Sequence, residues 1–135
     1  MENKFKLKST FEKRKQESDN IKKKYPDRIP IIVQKHAKST LNEVDKCKYL
    51  VPKDMTMGQF LFVVRKRVNL GPEQALFITV NSTLVSSVKT IGDIYCDLSD
   101  EDGFLYVIYT NENTFGFFMF KILQPYSTTS LYEQG

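Results

Sequence analysis

Thr56 and Gln59 stand three residues apart as a capping box, and Phe60, Leu61, Val64 and Val68 continue from them at helical spacing. Arg65, Lys66 and Arg67 fall in the last turn, where cations suit the helix dipole. This amphipathic helix constrains the fold because strand-like runs stand on both sides of it. Before it come the β-branched run 29–33 and residues 48–51; after it come two nearly continuous apolar runs, 75–80 and 104–109. The last two read as strands buried on both faces. Joined by short links, such elements can bury their apolar faces as one mixed sheet crossed by a central helix. The fold class is α+β, and the β-grasp is the simplest arrangement that fits.

Local chemistry refines the strands. Pro30 cannot donate to a ladder, so it belongs at an edge or a strand start. In residues 48–51, closed by Pro52, alternation sends Tyr49 and Val51 to one face and Lys48 and Leu50 to the other. The polar residues 34–46 read as a loop, and Ile91, Ile94, Tyr95 and Leu98 as a short helix. Ser9 and Glu12 form a further capping box, predicting a helix over residues 11–24 that stops at Pro26. Its apolar stripe is narrow, which leaves Lys13, Arg14, Lys15, Lys22, Lys23 and Lys24 in water.

At 135 residues, with 41% hydrophobic and 13% aromatic side chains, the chain has enough apolar material for one compact domain and too much for a disordered one. Residues 1–67 hold 18 Lys and Arg against 8 acids, whereas residues 68–135 hold 2 against 8. A basic half of this kind suits nucleic acid, an anionic membrane or an acidic peptide. No apolar stretch approaches the ~20 residues that span a bilayer, and the first eight residues lack the apolar region of a secretory signal, so a cytoplasmic location is expected. Cys47 and Cys96 lie far apart in no metal-binding pattern and read as small buried free thiols. The one histidine, His36, has no second ligand or carboxylate pair near it in sequence, and no phosphate loop or dinucleotide fingerprint occurs. No catalytic residue and no metal ligand is assigned, and an enzyme is not expected.

Three blocks together resemble the ubiquitin-like autophagy modifiers, the autophagy-related protein 8 family that includes the GABA-receptor-associated protein. They are residues 24–30 (Lys-Tyr-Pro-Asp-Arg-Ile-Pro), residues 45–68 with Lys48-Tyr49-Leu50-Val51-Pro52 and Arg65-Lys66-Arg67, and residues 102–116 from Asp102-Gly103-Phe104 to Phe115-Gly116. The resemblance implies a ubiquitin-like β-grasp core with two additional N-terminal helices. It divides the chain into a helical extension (1–25), the core ending at a processing glycine (26–116) and a C-terminal extension (117–135) that reads as a removed propeptide. It further implies cleavage between Gly116 and Phe117 by a cysteine protease. Activating and conjugating enzymes of the autophagy system then transfer Gly116 to phosphatidylethanolamine. That lipid is a covalent modification; no cofactor is implied. Glycine suits the position because, without a Cβ, it lets an extended tail thread a narrow catalytic cleft.

The second implied role is binding of cargo receptors through aromatic-x-x-aliphatic motifs that add a strand beside residues 48–51. Glu17, Ile21, Pro30, Ile32, Lys48, Leu50 and Phe104 match the aromatic-accepting pocket. Tyr49, Val51, Pro52, Met55, Phe60 and Val63 match the aliphatic pocket. Arg28, Lys46 and Arg67 would meet acidic flanks of the motif. The implied locations are the cytoplasm, the autophagosome membrane and the vacuole or lysosome, with microtubules and the cytoskeleton as further partners. The alternative from a different class is a basic RNA- or microtubule-binding module, which would need no terminal glycine. For the leading reading no nucleic acid is expected. The apolar residues 117–123, Phe-Phe-Met-Phe-Lys-Ile-Leu, depart from the family pattern by their length and hydrophobicity.

Overall fold

The computed structural model describes residues 3–111. Nine elements follow in order: α1 (Lys4–Leu7), α2 (Phe11–Lys24), β1 (Arg28–Lys35), β2 (Lys48–Pro52), α3 (Met57–Arg67), β3 (Phe77–Val80), β4 (Thr83–Leu84), α4 (Ile91–Leu98) and β5 (Leu105–Thr110). The strands form one sheet in the order β2-β1-β5-β3-β4, with β1 and β5 parallel at its centre and the other pairs antiparallel. This is the β-grasp arrangement, with two helices added before the first strand.

The two-residue period of the strands sorts side chains between two faces. Ile29, Ile31 and Val33 of β1, Val51 of β2 and Leu105, Val107 and Tyr109 of β5 join Phe60, Val64, Ile91 and Ile94 in the main core beneath α3 and α4. On the other face, Ile32, Phe104 and Tyr106 make a small second cluster covered by Phe5 of α1. Phe5 meets Phe104 edge-on, with ring centroids 5.6 Å apart. The apolar runs 29–33 and 104–109 are thus buried on both faces because helices lie on both sides of the central strands.

Pro30 sits in a strand with two neighbours, yet no ladder bond is lost. Its partner across β2 is Leu50, and the pairing with β5 begins one residue later, at Ile31↔Leu105. The strand extends through Gln34 and Lys35, which pair with Ile108 and Tyr109, so the loop predicted from residue 34 begins two residues later. The capping box at Thr56 and Gln59 forms as expected. That of α2 is displaced: Thr10, not Ser9, caps the helix and accepts from the Lys13 amide. The Ser9 carbonyl is taken instead by Arg14 Nη1.

That contact belongs to a network that corrects the expectation for α2. Arg14 is buried: its Nε donates to Asp102 Oδ2 at 2.8 Å, and the Asp102 side chain is fully buried. Tyr106 donates its hydroxyl to the same oxygen at 2.5 Å, and the Phe104 amide donates to Asp102 Oδ1 at 3.0 Å. Burial first, and then this bond to a carboxylate, push the Tyr106 hydroxyl well above the ordinary phenol range. Ser18, one turn on from Arg14, donates to the Asp102 carbonyl at 2.5 Å. Lys22 completes the stripe by donating to the Tyr95 hydroxyl at 3.0 Å, so it too is held against the fold. Gly103, at φ 90°, lets the helix come this close, because a Cβ there would enter the Ser18 side chain. The thiols also differ from expectation. Cys47 is half-buried and Cys96, on α4, is exposed; both are free.

Candidate peptide-docking edge

β2 lies at the edge of the sheet, and its register decides which backbone groups it offers. The Val33 amide donates to the Cys47 carbonyl at 2.7 Å and the Lys53 amide to the Asp27 carbonyl at 3.0 Å. Counting in twos between these points, Cys47, Tyr49, Val51 and Lys53 turn their backbone groups toward β1. Lys48 and Leu50 therefore turn theirs outward, along with the carbonyl of Pro52. Two amides and three carbonyls stand ready for a further strand.

The side chains near this edge divide between the two faces. On the α2 face lie Lys48 and Leu50 of β2, Pro30 and Ile32 of β1, and Phe104. Glu17 and Ile21, one turn apart on α2, are half-buried on that side, and Glu17 Oε2 pairs with Lys48 Nζ at 2.8 Å. The same ammonium sits 5.4 Å from the centre of the Phe5 ring. Ile32 and Phe104 are almost completely enclosed and form the floor; Leu50, Ile21 and Glu17 are the accessible rim. The network of Arg14, Ser18 and Asp102 holds α2 at the height that creates this cleft. Arg14 carried no such signal in the sequence, since its partner lies 88 residues away.

On the α3 face, Tyr49 packs edge-on against Phe60 with centroids 5.7 Å apart. Phe60 and Val51 are core, as Phe60 is fully enclosed; Met55, Val63 and Tyr49 are half-buried and Pro52 is exposed. The Tyr49 hydroxyl has no hydrogen-bond partner among the described residues, and burial pushes it above the ordinary phenol range against the opposing pull of Arg67. Arg28, Lys46 and Arg67 are exposed around the edge, Arg67 Nη1 lying 3.4 Å from Asp45. Gly116 and residues 117–135 lie outside the described residues.

The arrangement presents an open strand edge between two clefts on opposite faces of the sheet. His36 Nδ1 accepts from the Lys38 amide at 3.1 Å, and burial with the charge of Lys38 lowers its pKa. Among the described residues no group of three or more His, Cys, Asp or Glu could hold a metal ion, and no helix is long and apolar enough to cross a membrane.

A β-grasp sheet with two helices added before its first strand defines a ubiquitin-like protein. The model of the Autophagy protein Atg8 ubiquitin like family matches residues 13–116. The chain is 53% identical to autophagy-related protein 8e of Arabidopsis thaliana, over 83% of its own length and 92% of that protein. To autophagy-related protein 8 of Candida glabrata it is 52% identical, over 87% and 99% respectively. The crystal structure of Trypanosoma brucei ATG8 superposes with a TM-score of 0.80 at 46% identity, covering 83% of this chain and 97% of that one. The chain belongs to the Atg8 family, whose members are ubiquitin-like autophagy proteins.

Proposed function

We propose that the protein is a lipid-conjugated modifier and receptor adaptor in autophagosome formation, not an enzyme. Gly116 is its working C-terminus: a cysteine protease hydrolyses the bond to Phe117, an activating enzyme uses ATP to adenylate the freed carboxylate with release of pyrophosphate, and enzyme thiols then displace AMP and carry the glycine as a thioester. The amine of phosphatidylethanolamine then attacks the thioester carbonyl, the thiol leaves, and an amide tethers the protein to the autophagosome membrane and later the vacuole or lysosome. No cofactor takes part on the protein's side.

The observation that carries the receptor half of this reading is the outward backbone of Lys48 and Leu50 between clefts on opposite sheet faces. In an added strand, residues three apart point to opposite faces and lie about 10 Å apart along it. An aromatic-x-x-aliphatic peptide thus sends its aromatic side chain to the α2 face and its aliphatic one to the α3 face. Arg28, Lys46 and Arg67 supply the field for acidic flanks. A bare RNA footprint is less well supported, since Lys6, Arg14, Lys15 and Lys48 are each paired with a carboxylate.

Two measurements test the two halves. In a reconstituted conjugation reaction, Gly116→Ala blocks both cleavage and lipidation, whereas Gly135→Ala alters neither; lipid found on Gly135 by peptide mass spectrometry overturns the assignment. Leu50→Ala weakens calorimetric binding of an acidic aromatic-x-x-aliphatic peptide by about 1–3 kcal/mol, as truncation of a central anchor does. Unchanged affinity in a folded variant removes the cleft assignment.

A further inference from the structure

The segment after Gly116 contains one aromatic-x-x-aliphatic sequence of its own, Phe120-Lys121-Ile122-Leu123. We propose that in the uncleaved chain this tail docks on the β2 edge of the same molecule, so that cleavage after Gly116 also uncovers the receptor groove. The inference rests on the peptide-docking reading of that edge and names its first occupant.

The topology supplies reach and direction. β5 is parallel to β1 and β1 antiparallel to β2, so the chain leaves β5 at Thr110 on the end of the sheet where β2 begins. Lys48 stands opposite Ile32, and Ile32 opposite Tyr106, which puts Lys48 level with Tyr106, four residues before the exit. From Thr110 to a strand added outside β2 level with Lys48 is therefore three strand spacings across, about 14 Å, and about 13 Å back along the strand. The straight path is about 19 Å, and residues 111–119 span up to ~30 Å when extended. The excess allows the chain to turn and pass over the end of the sheet.

Direction agrees with order. A tail arriving at the Lys48 end and running alongside β2 meets the α2-face cleft first and the α3-face cleft second. Phe120 comes before Leu123, so the aromatic ring enters between Ile21 and Leu50 and the leucine reaches Met55 and Val63. Being three apart, the two side chains fall on opposite faces of the added strand. The outward amides of Lys48 and Leu50 acquire carbonyl partners from the tail. A tether of this length gives an effective concentration in the millimolar range. A tail of ~0.1 mM intrinsic affinity would thereby weaken an external peptide about tenfold.

The test uses full-length protein with a protease-dead background, comparing it with full-length Phe120→Ala/Leu123→Ala. The probe is a synthetic acidic peptide with a tryptophan-x-x-leucine core, titrated by calorimetry. The expected result is about tenfold tighter binding to the variant, with faster hydrogen exchange of the Lys48 and Leu50 amides than in the wild-type chain at every protein concentration. Equal binding to both proteins overturns tail docking while leaving the peptide groove intact. Binding to neither overturns the groove reading itself. Amide protection that grows with protein concentration shows the tail seated on a second copy, and overturns the intramolecular contact.

Discussion

The two faces of the sheet are held by different physics. Beneath α3 and α4, sixteen buried apolar residues from strands and helices form one continuous core. Across the sheet the buried apolar cluster described is small, Ile32, Phe104 and Tyr106 beside Pro30 and under Phe5 of α1, and α2 is fastened by the Arg14 and Asp102 ion pair and the Ser18 hydroxyl. Hydrophobic burial is non-directional and tolerates adjustment, whereas a buried polar network holds its partners at one height or fails. The difference fits the proposed roles: the large core supplies stability, and the polar clamp places Glu17 and Ile21 at a cleft whose width a loosely packed helix could not maintain.

The contrast can be broken most forcefully from the core side. Phe60→Ala empties a fully enclosed site and costs about 3–5 kcal/mol. Denaturant unfolding followed by fluorescence and by circular dichroism shifts together, because the cavity lies in the unit that unfolds cooperatively. On the other face, Arg14→Ala leaves the Asp102 carboxylate buried without its cation and costs about 3 kcal/mol. Hydrogen exchange accelerates in α2 and around Phe104 while β3 and the centre of β5 keep their protection, as expected of a subglobal opening. Uniform acceleration across the sheet would show one cooperative unit and end the distinction between faces. Arg14→Met combined with Asp102→Asn, which removes both charges, loses less than Arg14→Ala alone.

A smaller effect comes from the outer fastening of α1. Lys6 Nζ lies 2.6 Å from Asp100 Oδ1, the two side chains being 35% and 26% exposed. Partial burial acts to raise the Asp100 pKa, but the hydrogen bond from Lys6, the Asp102 amide and the ammonium charge outweigh it, and the net shift is downward. A carboxylate with a depressed folded pKa contributes stability above its unfolded value, near 4, and loses it as pH falls through the folded value. The protection factors of the α1 amides, which remove the intrinsic pH dependence of exchange, are therefore flat from pH 7 to about 5 and fall below about 4. Lys6→Met removes that acid step; a step that persists in the variant assigns it to another carboxylate.

The elements whose signals are local are legible in the sequence. The Thr56 and Gln59 box started α3 in the expected place, and the apolar runs marked β1, β2, β3 and β5. β4, with only Thr83 and Leu84, carries no such signal, and α1 has none apart from the family resemblance, since four residues cannot establish a helical period. Ser9 and Thr10 can each cap locally; the structure uses Thr10, and Arg14 takes the Ser9 carbonyl through a side chain folded back over the turn. Residue type alone places Cys96 inside, but the helix face that carries it points away from the core.

Within the docking edge, the alternation of Tyr49 and Val51 against Lys48 and Leu50 was determined by the sequence alone, because the strand period is two whatever the strand packs against. So was the family, through long motifs spread over most of the chain. Only tertiary structure decided that Arg14 is buried while Lys13 beside it is exposed. A cation's environment depends on what the fold brings near it, and here Asp102, 88 residues away, made burial tolerable. The outward phase of the Lys48 and Leu50 backbone was likewise decided by the fold. It follows from the register with β1, and register is a relation between two segments that neither one carries in itself.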